Sequence, residues 1–318
     1  MDVSINSVIP VNTRLKAFGN KALKDFKINK QLYLLVLPVL VHYIIFQYGP
    51  MYGVIIAFKE FSPAKGILGS PWVGFKHLID FFNSFFFGRT LKNTLVISLN
   101  TIIFGFPAPI ILALLINEIR NRKFARVIQT ITYMPHFISL VVICGMIREF
   151  TYDTGIINDF RALIGLERVS LLSKPGMFVP VYVASGIWMQ VGWGSIIYLA
   201  ALAGINSELY EAAIIDGAGR LKQTLHVTLP GIMPTVVILL ILRIGHVMSV
   251  GFEKIILLYN PVIYETADVI STYVYRKGLL DFSWSYASAV GLFNTVINLT
   301  LLVCANKISR KVSEASLW

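Results

Sequence analysis

"PGMFVPVYVASGIWMQVGWGSIIYLAALAGINS", residues 175–207, contains no Asp, Glu, Lys or Arg. A helix needs about 20 consecutive apolar residues to cross the hydrocarbon core of a bilayer, and this stretch exceeds that length. Windows 32–58, 93–117, 127–147 and 282–306 are equally free of charge, and 232–252 is interrupted only by Arg243. None of them alternates as a strand would, and lipid tolerates only helices or closed barrels. The expected fold is therefore all-α: a polytopic membrane protein with about six transmembrane helices, near 32–58, 93–117, 127–147, 178–203, 232–252 and 284–306. Composition agrees. Charged residues make up 14% of the 318, whereas a soluble domain carries about 25%, and mean hydropathy is +0.69.

Residues 1–30 form a basic segment without the short apolar region of a cleavable signal. They are expected in the cytoplasm, ahead of a membrane domain at 31–306 and a cytoplasmic tail at 307–318. With both termini inside, the cytoplasmic segments hold 15 Lys and Arg against 7 Asp and Glu, and the outer loops 12 against 10. That is the asymmetry of the positive-inside rule. The net charge of +11 is then a topology signal with some attraction to anionic membrane lipid, not a nucleic-acid footprint. "FFNSFFFGR" at 81–89 is too short to span and reads as an interfacial segment on the outer face. Cys144 and Cys304 fall in expected membrane helices and read as packing residues, with no disulfide or metal site. No Walker A sequence, His-Glu-x-x-His or nucleophile elbow occurs. No catalytic residue is assigned.

Between the fourth and fifth spans the apolar pattern breaks at "EAAIIDGAGRLKQTLHVTLPGIMP", residues 211–234. Asn206 and Ser207 are suitable helix caps, and Glu208 and Glu211 suit the first turn and a half. Gly217 permits a left-handed turn. A second helix restarts at Arg220, and Pro230 is expected to end it. The expectation is a two-helix cytoplasmic knob over about 204–230.

Glu211-Ala212-Ala213, Asp216-Gly217-Ala218 and Leu229-Pro230 resemble, in identity and spacing, the EAA motif of permease subunits of binding-protein-dependent ABC importers. "GFEKIILLYNP" at 251–261 and "TYVYRKGL" at 272–279 are similar to the oligosaccharide and polysaccharide branch of the carbohydrate importers, which includes alginate importers. The resemblance implies the type I importer permease fold and a coupling loop that docks on a cytoplasmic ATPase. In that scheme the Ala residues allow close helix approach, Gly217 makes the bend and Glu211 pairs with the ATPase. It further implies a bacterial cytoplasmic-membrane location and a second, homologous permease as heterodimer partner. Two ATPase subunits and an extracytoplasmic solute-binding protein complete the assembly. This chain then carries no cofactor, ATP and Mg being bound by the partner ATPase.

Polar groups inside membrane helices are expensive and mark candidate path residues. Gln190 and Trp193, three apart on the fourth span, offer an amide for sugar hydroxyls and a ring for sugar C–H faces; core packing is the competing reading. Arg243 and His246 are expected to share a face of the fifth span, and Asn294 and Asn298 a face of the sixth, where interhelical glue is the alternative. His136, behind Pro135, is expected only to satisfy a kink. An arginine with a histidine suits an acidic oligosaccharide such as an alginate or other uronate oligomer. A self-sufficient secondary transporter would call for an internal repeat and mid-membrane carboxylates, and the sequence has neither. An intramembrane enzyme would rest on Cys144 and His136 alone.

Overall fold

The computed structural model of the chain describes residues 25–312, 316 and 317, so residues 1–24 of the basic segment and 313–315 and 318 of the tail lie outside the described residues. Two units are distinguished, Met1–Ile55 and Ile56–Trp318. Among the described residues there is no named strand, only an isolated bridge between Lys59 and Trp72. Five helices are long and apolar enough to span a membrane, and up to six if a bent pair counts as one.

The first of these helices, α1, spans Lys30–Phe58. In the second unit α2 spans Phe85–Asn117, α3 Arg122–Phe137 and α4 Leu140–Thr151; then come α5 (Pro175–Ala203), α6 (Ser207–Ile215), α7 (Arg220–Ile244), α8 (Phe252–Leu258), α9 (Ile270–Tyr275) and α10 (Trp284–Val312).

Three expectations are corrected. The third span is not one rod: α3 and the helical segment beginning at Leu140 meet at 101°. Pro135 opens a 3₁₀ turn over Met134–Phe137, and Ser139, in extended conformation, caps a new helix by accepting from the Val142 N–H. Pro230 does not end a helix. A π-turn over Thr224–Thr228 carries the chain through it, so the knob's second helix is the start of α7 itself. The fifth span, expected to reach residue 252, stops at Ile244.

"FFNSFFFGR" also divides. Lys76–Phe82 is a separate short helix with Phe81 fully buried, and Phe85 opens α2 after an extended Ser84. Three of the four π-turns among the described residues share a cause. Those at Ile44–Tyr48, Thr101–Gly105 and Thr224–Thr228 each end two residues before a proline, Pro50, Pro107 and Pro230. Proline removes an N–H and its ring crowds the carbonyl four residues back. A widened turn relieves the clash without breaking the helix.

Packing organises the second unit around α5. Toward its start, Phe178, Tyr182 and Val183 pack with Ile143, Cys144 and Ile147 of α4 and with Ile255 and Leu258 of α8. Toward its end, Tyr198 and Leu202 pack with Ala113 of α2 and Ile232 of α7. α3 presses so closely on α5 that a Cβ on Gly192 would lie 2.1 Å from the Thr132 carbonyl oxygen, which only glycine allows. A third cluster joins Phe81, Met248, Ile270, Tyr273 and Val290.

Candidate functional site

Between the two core clusters along α5, residues of α2, α5, α7, α8 and the segment joining the last two line a half-open cavity of about 760 Å³. Gln190, Arg243 and His246 all line it, with Thr101, Tyr182 and Lys254. Arg243 sits in the last turn of α7. His246 lies beyond the helix, its backbone N–H bonded to the Arg243 carbonyl at 3.1 Å. The two therefore meet across a helix end, not along a continuous helix face. His246 Nδ1 lies 2.9 Å from the Leu242 carbonyl oxygen, so in the neutral ring Nδ1 carries the proton. No carboxylate lies within ion-pair distance of Arg243 among the described residues.

The helix can stop here because side chains receive the freed backbone. Asn298 Oδ1 accepts from the Met248 N–H at 2.9 Å, and its Nδ2 donates to Ser249 Oγ at 2.8 Å. Ser98 Oγ donates to the Val247 carbonyl. Irregular backbone at membrane depth is tolerated only where such partners or a wet cavity satisfy it. Asn298, which does not line the cavity, is thus a receiver for backbone freed at the end of α7. Asn294 does not line the cavity, and its buried Oδ1 has no partner among the described residues. Trp193 is also outside it: His136 stacks on its ring at 4.4 Å between centroids and 5° between planes. One face of that indole is therefore unavailable to a sugar, and His136 has a packing partner beyond its kink.

The segment 206–223 is built from local signals. Asn206 Oδ1 accepts from the Glu208 N–H at 3.0 Å and caps α6. At the other end Ala218 N–H reaches the Ala213 carbonyl at 2.9 Å and Gly217 N–H the Ile214 carbonyl at 3.0 Å, with Gly217 at φ +73°. This is a Schellman closure, in which the glycine takes the left-handed position. Gln223 Nε2 donates to the Ala218 carbonyl at 2.7 Å, and Tyr210 Oη to Thr228 Oγ1 at 3.0 Å, so turn and helices are cross-tied. Glu211, Ala212, Asp216 and Gly217 are exposed, Ala213 and Ala218 half-buried, and Leu229 packs toward the core that holds Ile232. Ile215 at 86% and Leu221 at 73% exposure make the knob's surface partly apolar. Arg220 pairs with Glu118 at 3.4 Å.

One polar cluster went unseen in the sequence. Asp268, fully buried, receives Arg276 at 2.8 and 2.6 Å and Thr272 Oγ1 at 2.8 Å, with Arg89 at 3.6 Å. Asn93 Nδ2 donates to the Glu265 and Asp268 carbonyls, both at 2.9 Å. Together they bind the segment after α8 to the start of α2. Burial works against the Arg276 charge, but the bonded Asp268 carboxylate more than offsets it and holds the guanidinium above its ordinary range.

A helical membrane unit whose cavity is lined in part by Gln190, Arg243, His246 and Lys254, and whose spans are interrupted by a charged knob, has the character of a transport subunit. The chain belongs to the family of binding-protein-dependent transport system inner membrane components, whose model matches residues 105–314. Protein LplB of Bacillus subtilis is 45% identical over 293 residues, 92% of each chain. The polygalacturonan/rhamnogalacturonan transport system permease protein YteP of the same organism is 44% identical over 291 residues, 91% of this chain and 90% of that one. A solved bacterial ABC transporter involved in the import of the acidic polysaccharide alginate superposes with a TM-score of 0.86 at 45% identity, covering 92% of this chain and 99% of its own. The chain is accordingly a multi-pass permease subunit of a carbohydrate ABC importer with the type I permease fold.

Proposed function

We propose that this subunit forms, with a second homologous permease, the membrane path for an acidic oligosaccharide delivered by an extracytoplasmic solute-binding protein. Transport is driven by two ATPase subunits that bind ATP and Mg and dock on the knob at Glu211, Ala212, Ala213, Asp216, Gly217 and Ala218. Leu229 and Pro230 close the motif inside α7. The chain itself catalyses nothing and binds no cofactor. Both termini and the knob face the cytoplasm.

The observation that carries this reading is α7. It begins at Arg220 within the knob and ends one residue beyond Arg243 in the cavity wall. At 1.5 Å per residue, its 25 residues make a rod about 37 Å long, so movement of the knob on ATPase closure can displace the cavity wall as a rigid body. The acidic class is supported by Arg243, a cation in the cavity wall with no ion-pair partner among the described residues, and by the acidic polysaccharides named for two relatives.

Co-purification in mild detergent tests the docking. The wild-type chain, expressed with its partner subunits, should retain ATPase and second permease, and Gly217→Val should lose the ATPase alone. Full retention by the variant together with wild-type uptake would remove the knob from the mechanism.

A further inference from the structure

Lys254 is the charged group that neither the knob nor the known clusters explain. It lies in the first turn of α8, is only 5% exposed, and lines the same cavity as Arg243 and His246. Its ammonium donates to the Tyr182 carbonyl at 2.7 Å and sits 4.5 Å from the centroid of the Tyr182 ring. Among the described residues no carboxylate comes within ion-pair distance, although Glu253 lines the same cavity. A buried ammonium without a counter-charge costs several kcal/mol even after relaxation. One carbonyl and one ring face compensate part of this, and one of the three N–H donors is used in a hydrogen bond. A methionine would fill the space at no electrostatic cost.

The neighbouring wall is cut to receive the charge. A Cβ on Gly186 of α5 would stand 3.3 Å from Lys254 Nζ, and Gly186 is itself part of the cavity lining. The missing side chain lets the ammonium reach α5 at the edge of the open space.

We propose that the Lys254 ammonium is a carboxylate subsite of the path, pairing in passing with the uronate groups of the substrate and discriminating acidic from neutral oligosaccharides. The proposal rests on the acidic-substrate reading above and names a residue for it. A lysine suits the task. Its point charge holds a carboxylate without the two-point fork of an arginine, and a path must bind weakly enough to release. Arg243 and Lys254 would then share a substrate carrying one carboxylate per sugar, as a polyuronate does.

The test uses the complete transporter in proteoliposomes, with trigalacturonate and its methyl ester as probes of equal length and different charge. Each variant is scored relative to wild type on the same probe, so the binding protein's own preference cancels. Lys254→Gln keeps a donor for the Tyr182 carbonyl and removes the charge. It should lower trigalacturonate uptake about tenfold while ester uptake changes less than twofold, and Lys254→Arg should recover most of the acidic uptake. If both probes fall together in Lys254→Gln, the lysine is a structural staple between α8 and α5 and the proposal fails alone. Unchanged uptake of both has the same consequence. If wild type carries the ester and ignores trigalacturonate, the acidic-substrate reading fails with it.

Discussion

Replacing Asp268 with Asn tests the clamp on the segment after α8. The change keeps shape and one acceptor oxygen but removes the only carboxylate within reach of Arg276 and Arg89 among the described residues. Deleting one partner of a fully buried pair costs about 3–5 kcal/mol, because the remaining charge is stranded. Here the Arg276 and Arg89 side chains are 21% and 26% exposed, so water takes up part of the loss, and about 2–4 kcal/mol remains. With about 2–4 °C per kcal/mol for a large domain, Tm in detergent should fall by about 4–16 °C. The double variant Asp268→Asn, Arg276→Gln should recover part of that, since it removes the stranded charge as well. A fall below about 1 °C, or a double variant less stable than the sum of the singles, would refute the view that this pair holds the segment in place.

Asn298→Ala leaves the Met248 N–H unpaired at the end of α7; a loss of about 1–3 kcal/mol is expected, read as a lower detergent melting temperature, whereas Asn294→Ala should change it little. Gly192→Ala forces a Cβ against the Thr132 carbonyl at 2.1 Å and should prevent assembly of α3 on α5, visible as lost expression in the membrane fraction. Gly217→Ala, at φ +73°, should cost about 1 kcal/mol with weaker ATPase retention than wild type, and Gly217→Asn should retain more than Gly217→Ala because asparagine tolerates the left-handed region.

Most of the spans were legible because the solvent dictates them: a charge-free run of bilayer length usually crosses as one helix, although 127–147 is bent by 101° at its middle. The knob was legible because its signals are local, with Asn206 and Gly217 each acting within a few residues of itself. The end of α7 was not. Nothing in "RIGHVMSVGF" forbids a helix as proline would; the helix stops because Asn298 and Ser98, about 50 and 150 residues away, receive the backbone groups. The bend after α3 did carry a local signal, Pro135 followed by a capping Ser139, but a run of span length outweighed it. Asp268, Arg276 and Arg89 could not be joined by reading, since Arg89 lies 179 positions away from the carboxylate. Of the residues expected on the path, Gln190, Arg243 and His246 line the cavity, whereas Trp193, Asn294 and Asn298 do not.

The π-turn at Thr224–Thr228 acts as a phase setter between the two ends of α7. A π-turn is an α-helix carrying one surplus residue, and each residue of an α-helix advances the azimuth by about 100°. The surplus residue therefore fixes the compass bearing of Arg243 relative to the knob. Removing one residue from this turn would leave the chain's composition and span length nearly unchanged, yet would point the far end of the rod at a different neighbour.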